Sequence, residues 1–91
     1  MKFLWDEAKR KRNLLKHQLD FTDAKTVFSG ITYTFEDHKS LYEEQRFITI
    51  GMLYGKVVVV AHTEIKDKIR IISMRKATKN EQKIFYKGFI A

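Results

Sequence analysis

The run Lys56-Val57-Val58-Val59-Val60-Ala61-His62-Thr63, set between Tyr54-Gly55 and Ile65-Lys66-Asp67-Lys68, decides how the chain is read. Four successive valines leave no polar alternation, so this strand is expected to lie centrally, covered on both faces. Tyr54-Gly55 reads as a tight turn linking it to a strand over Gln45 to Leu53. On the other side, Ile65 to Lys68 turns into a strand over Ile69 to Lys76. Upstream, Ile31, Tyr33 and Phe35 alternate with Thr32 and Thr34, the period of a half-buried strand. Consecutive strands joined by short connections pair antiparallel.

Helical spacing appears only outside this meander. Lys2 to Trp5 reads as a short strand, after which Asp6 can cap a helix running to about His17. Ala8, Leu15 and Leu19 mark its expected buried side. Asp20 can cap a second, short helix in which Phe21, Ala24, Val27 and Phe28 recur at helical spacing before Gly30. Thr78-Lys79-Asn80-Glu81 is a capping box, opening a helix whose inner face is expected to hold Ile84, Phe85, Gly88 and Phe89. Trp5, Tyr33, Phe35 and Phe47 are assigned to the core. The class that follows is α+β: an antiparallel sheet of four to five strands with two N-terminal helices and one C-terminal helix packed on it. Proline is absent and glycine occurs four times, so no linker is visible, and residues 1–91 read as one domain.

At 91 residues the chain can bury a modest core, and 44% hydrophobic content suits a folded domain. It has no cysteine, which excludes disulfides and thiolate metal sites and fits a reducing cytoplasm. No apolar run is long enough to span a bilayer, and the first residues have no signal-peptide core, so no membrane partner is expected. The formal charge is +7 and is unevenly spread. Lys2, Lys9, Arg10, Lys11, Arg12 and Lys16 crowd one end; Lys66, Lys68, Arg70, Arg75, Lys76, Lys79, Lys83 and Lys87 crowd the other. Between them Glu36, Asp37, Glu43 and Glu44 stand against Lys39. Basic ends suit a polyanion or an acidic protein, and they equally suit a solvated surface.

Several pieces of sequence, taken in order, resemble one family. They are Trp5-Asp6 with Lys9, Asn13 with Lys16-His17, Phe21 with Ala24, Arg46 before Ile50-Gly51, and Thr63-Glu64. The last is Arg70-Ile71-Ile72-Ser73 with Arg75, Ala77 and Glu81. The chain resembles the BrnT toxins of bacterial type II toxin–antitoxin systems over nearly its whole length. The resemblance implies a RelE-like fold, ribonuclease activity that arrests growth, and neutralisation by a BrnA-like antitoxin. It also implies contact with operator DNA only indirectly, through that antitoxin. Three positions depart from the family pattern: Gln18 stands where glycine usually ends the first helix, Ile65 where arginine usually follows Thr-Glu, and Phe85 where tyrosine is common.

Metal-independent RNA cleavage needs a base for the 2′-hydroxyl, an acid for the leaving oxygen, and cations for the charge building on the phosphate. Arg46, Arg70 and Arg75 are the candidate clamps; ion pairs with Glu44, Glu64 or Glu81 are the structural alternative. Arg70 and Arg75 are an odd number apart, so on an undistorted strand they point to opposite faces, Arg70 with Ile72 and Met74, Arg75 with Ser73. They can share a groove only if the strand bends or ends between them. His62 and Glu64, two apart on one strand, share a face and form the candidate acid–base pair; a cross-strand salt bridge is the alternative for Glu64. Lys9, Arg12, Lys16, His17 and Lys76 are candidates for binding RNA phosphates without reading sequence, His17 doubling as a helix C-terminal residue. The histidines have no zinc-site spacing and no nucleotide-binding loop occurs, so no metal or cofactor is expected. The rival reading is a non-catalytic basic module that docks an acidic protein or nucleic acid.

Overall fold

The computed structural model describes residues 1–38 and 44–90, with side chains up to Gly88. Lys39 and Glu43 of the acidic stretch, and the side chain of Phe89, lie outside the described residues. The elements run β1 (Lys2–Leu4), α1 (Glu7–His17), a 3₁₀ turn (Phe21–Asp23), α2 (Ala24–Ser29), β2 (Thr32–Glu36), β3 (Phe47–Leu53), β4 (Lys56–Ile65), β5 (Lys68–Lys76) and α3 (Lys79–Ile90). The strand order is β1-β5-β4-β3-β2.

The valine strand β4 lies at the centre, and Val57, Val58, Val59 and Val60 are all buried. The meander pairs antiparallel as expected, but β1 joins β5 in parallel, Lys2 opposite Lys68 and Leu4 opposite Arg70. The sheet is therefore mixed rather than antiparallel. The connection from β1 is not a hairpin; it passes through the first two helices and the other strands, so β1 returns to β5 with either polarity open to it.

The helices divide between the two faces of the sheet. On the first face Phe21, Ala24 and Val27 of the 3₁₀ turn and α2 pack with Val58, Val60, Ile69, Ile71 and Met74, and Phe3, Trp5 and Phe28 close the margin. On the second, Phe85 of α3 packs with Ile50, Val57 and Val59. Two uncovered-looking aromatics correct the sequence reading: Tyr33 and Phe35 stand on β2, largely exposed, with ring centroids 5.8 Å apart. Ile84 is likewise exposed, so the inner face of α3 is narrower than its spacing suggests. Gly51 is where β3 meets α2: a Cβ there would lie 2.8 Å from Val27 Cγ1, so only glycine admits the contact.

α1 departs most from expectation. Leu15 is 82% exposed and Ala8 is also exposed; of the three expected inner residues only Leu19, beyond the helix, is buried. The buried residue of α1 is Asn13. β1 covers the outer edge of β5 only as far as Arg70. Beyond it, Asn13 Nδ2 donates to the Met74 carbonyl at 2.9 Å and to the Leu19 carbonyl at 3.1 Å, and Asn13 Oδ1 accepts from the Met74 N–H at 3.1 Å. The amide acts as a one-residue strand, satisfying edge groups that burial would otherwise leave unpaired. Arg10 ties the same helix to Asp20 and Glu7.

Asn13→Leu removes three buried hydrogen bonds and strands two groups of Met74, so it should cost about 3 kcal/mol in urea unfolding; a loss below 1 kcal/mol would show that the amide is not what holds α1. Gln18, the C-cap, sits at φ 55°, a left-handed conformation that disfavours a Cβ. Gln18→Gly should therefore raise stability by about 0.5–1 kcal/mol, read in the same assay.

Candidate nucleic-acid interface

The faces of β5 are set by a bulge. Ala61 of β4 pairs with Ser73 and His62 with Ile71, so Ile72 is an extra residue opposite no partner. Arg70 consequently lies opposite Thr63, and Arg75 opposite Val59. Thr63 and Val59 are four apart on an unbulged strand, hence on one face. The two arginines share the second face of the sheet, and Met74, opposite Val60, belongs to the first. The strand does bend between them, which is the condition under which both can serve one surface. Arg46, two residues before Ile48, falls on that face as well, its carbonyl accepting from the Asp37 N–H at 2.9 Å.

Each of these arginines meets a carboxylate. Glu44 Oε1 lies against Arg70 Nη2 and 3.7 Å from Arg46 Nη2. Arg75 makes a bidentate pair with Glu81, Nη1 to Oε1 at 2.7 Å and Nη2 to Oε2 at 2.8 Å. Glu81 also accepts from the Thr78 N–H at 2.8 Å, while its own N–H donates to Thr78 Oγ1 at 3.2 Å, completing the capping box. The Arg75 guanidinium, helped by the Thr78 amide, holds the Glu81 carboxyl down at about 2, and Glu81 in turn raises Arg75.

The five candidate phosphate contacts converge. Lys9, Arg12, Lys16 and His17 line a shallow depression between α1 and β5 with Ile72 and Ser73. A second depression continues it, lined by Lys16, His17, Gln18, Arg75, Lys76 and Thr78. Lys9, Arg12 and Lys16 are spaced at i, i+3 and i+7, which puts them along one stripe of the helix that Asn13 pins beside β5. Only Arg75 of the sheet arginines reaches this groove; Arg70 lines a separate depression with Leu4, Thr63, Ile65 and Lys68.

His62 and Glu64 share a face, but it is the first face, opposite the arginines. The imidazole is fully buried, edge-on to Phe28 at 5.1 Å and stacked on Phe47 at 6.0 Å. Its Nε2 lies 2.7 Å from Thr49 Oγ1, which lies 2.7 Å from Thr34 Oγ1. Glu64 Oε1 is 3.7 Å from Nδ1. Burial, only partly offset by a hydrogen bond with the Thr63 backbone, pushes the imidazole down to about 4, so it is neutral near pH 7, not an imidazolium held by Glu64. Among the described residues no three histidine or carboxylate side chains come together as a metal site. No described helix is long and apolar enough to cross a membrane.

Two residues that organise the site carry weaker sequence signals. Asn13 is an uncapping polar residue inside a helix, a position that calls for a specific partner. Glu44, expected as one of three possible ion-pair partners for the arginines, sits in a polar stretch that does not say which arginine it meets.

These features define a small basic protein: a five-stranded α+β domain with a lysine-lined groove and arginines on one sheet face. The family of the ribonuclease toxin BrnT of type II toxin–antitoxin systems matches residues 5–81. The chain belongs to this family of ribonuclease toxins, so an antitoxin protein is its partner. No curated protein matches the chain.

The neutral, buried His62 gives a pH signature. Its value is near 6.5 in the unfolded chain and about 4 in the fold, so unfolding takes up a proton between those limits. Stability is unaffected above that window and falls as pH drops through it. Between pH 6 and 5 the wild type should lose about 1 kcal/mol more than His62→Gln in urea unfolding. Equal slopes would show that the imidazole is not held neutral.

Proposed function

We propose that the protein is a metal-independent endoribonuclease that cleaves RNA in the cytoplasm to stop translation and growth, and that a BrnA-like antitoxin neutralises it. The observation that carries this reading is the bulge at Ile72, which gathers Arg70 and Arg75 onto the face that also bears Arg46. The RNA backbone would follow the groove of Lys9, Arg12, Lys16, His17 and Lys76, entered from α1 and leading to Arg75. Contacts of this kind position a strand without reading its bases.

Chemistry on this surface is charge stabilisation more than proton transfer. Guanidinium groups fixed on strands match the equatorial oxygens of a phosphorane and need little reorganisation as its charge grows. With those cations in place the reaction needs no divalent ion to neutralise the phosphate. In this reading buried His62 and exposed Glu64 lie on the other face of the sheet. The 2′-oxygen, aligned in the groove, bonds to phosphorus and gives its proton to water, while the 5′-oxygen leaves and takes a proton from water.

Purified protein should cleave RNA, alone or with ribosomes, at an undiminished rate in chelator. Arg70→Ala should lower that rate about 10²-fold or more, the scale for removing one group that stabilises transition-state charge. Induction should arrest growth, and co-expression of the neighbouring reading frame should relieve it. Cleavage that requires added divalent cation, or none under any condition, would overturn the reading.

A further inference from the structure

We propose that Arg46 and Arg70 form a seat for one backbone phosphate, and that the Glu44 carboxylate is the resident competitor for that seat. A single oxygen, Glu44 Oε1, faces Nη2 of both guanidinium groups. A carboxylate oxygen placed between two guanidinium NH₂ groups occupies the position a phosphate oxygen takes in such a pair. The inference rests on the ribonuclease reading for the identity of the polyanion, and adds to it a division of labour among the arginines.

The two carboxylates on this face differ in how firmly they hold. Glu81 is committed: both its oxygens take Arg75, one also takes the Thr78 amide, and its side chain is 21% exposed. Withdrawing it would open the start of α3 as well as free Arg75. Glu44 is 41% exposed, precedes β3 outside any helix or strand, and meets Arg70 whose side chain is 49% exposed. Exposed pairs of this kind are weak and yield to a better ligand. A phosphodiester brings two free oxygens and can engage both guanidinium groups. Arg75 thus meets the RNA at the end of the groove with Glu81 still bound to it, and Arg70, whose partner is the weaker one, is the arginine that takes the phosphate of this seat.

The surroundings of Arg70 fit the same ligand. Leu4 and Ile65 give an apolar floor to the depression it lines, and Lys68 adds a second cation. Such a floor accommodates a ribose or base while the guanidinium holds its phosphate.

The test is binding of a fluorescent oligothymidylate about ten nucleotides long, a length that spans one small domain and lacks the 2′-hydroxyl needed for cleavage. Glu44→Gln should tighten binding on the order of threefold, the release of one weak exposed pair. Arg70→Ala should weaken binding, and adding Glu44→Gln to it should give no gain. Glu36→Gln, at an exposed acidic residue whose cross-strand pair with Phe47 puts it on the other face of the sheet, should bind as wild type. Unchanged binding by Glu44→Gln, a gain that survives in Arg70→Ala, or an equal gain from Glu36→Gln would each overturn the seat. Melting temperatures confirm that the variants are folded. RNA cleavage by the same preparations separates the two readings: a Glu44 effect without cleavage retains the seat and overturns the ribonuclease, and cleavage without a Glu44 effect does the reverse.

Discussion

The side-chain amide of Asn13 is the contact on which the arrangement of the site depends. It closes the edge of β5 where β1 stops, and it is the only buried residue of a helix whose remaining surface is charged or exposed. Without it α1 would have the apolar packing of its flanks, Trp5 and Leu19, and the Arg10–Asp20 pair near its start, but no bond to β5 that sets its rotation and its height along that strand. Those two variables decide where Lys9, Arg12, Lys16 and His17 point. A directional interaction suits this task better than an apolar contact, because three hydrogen bonds to fixed backbone groups tolerate little sliding. The helix bears its ligand-facing charge because attachment takes few of its positions, chiefly Asn13 and Arg10.

The sheet supplies the complementary half. Its central strand is buried on both sides, which makes the platform rigid and leaves functional groups to its rim and to the part of the second face that α3 leaves uncovered. The buried His62–Thr49–Thr34 chain links β4 to the outermost strand β2 through side chains, where the ladder links only neighbours. That is a structural use of a histidine, and its desolvated surroundings are what a catalytic base in contact with RNA would lack.

Much of this was legible in the sequence, and what was not has a common cause. The unbroken valines of β4, the caps Asp6 and Asp20, and the Thr78–Glu81 box each act within a few residues of themselves, so their reading survives folding. The polarity of β1 and the role of Asn13 are set by partners more than sixty residues away in sequence, and no local period reports them. Glu44 was legible as an ion-pair candidate, but not which arginine it meets, since it reaches Arg70 across 26 positions. For His62 the spacing correctly placed it with Glu64, but which face of the sheet they share is a tertiary fact. The shared side of Lys9, Arg12 and Lys16 was legible because a basic stripe at helical spacing needs only the helix to be formed, whereas the approach of Lys76 from β5 is a tertiary fact.

The bulge at Ile72 amounts to a one-residue insertion in β5. The pairing of β4 with β5 proceeds as though Ile72 were absent: Ile71 and Ser73 take successive partners, and every residue after the bulge keeps the face it would have in a chain one codon shorter. Loss of that codon would leave each cross-strand pair intact, Arg70 opposite Thr63 and Arg75 opposite Val59, so the spacing of the two arginines is set by β4 and not by the length of β5. Ile72 is therefore a residue that the ladder does not count. What it changes is sequence parity: it lets two arginines an odd number apart share one face while the core keeps its register.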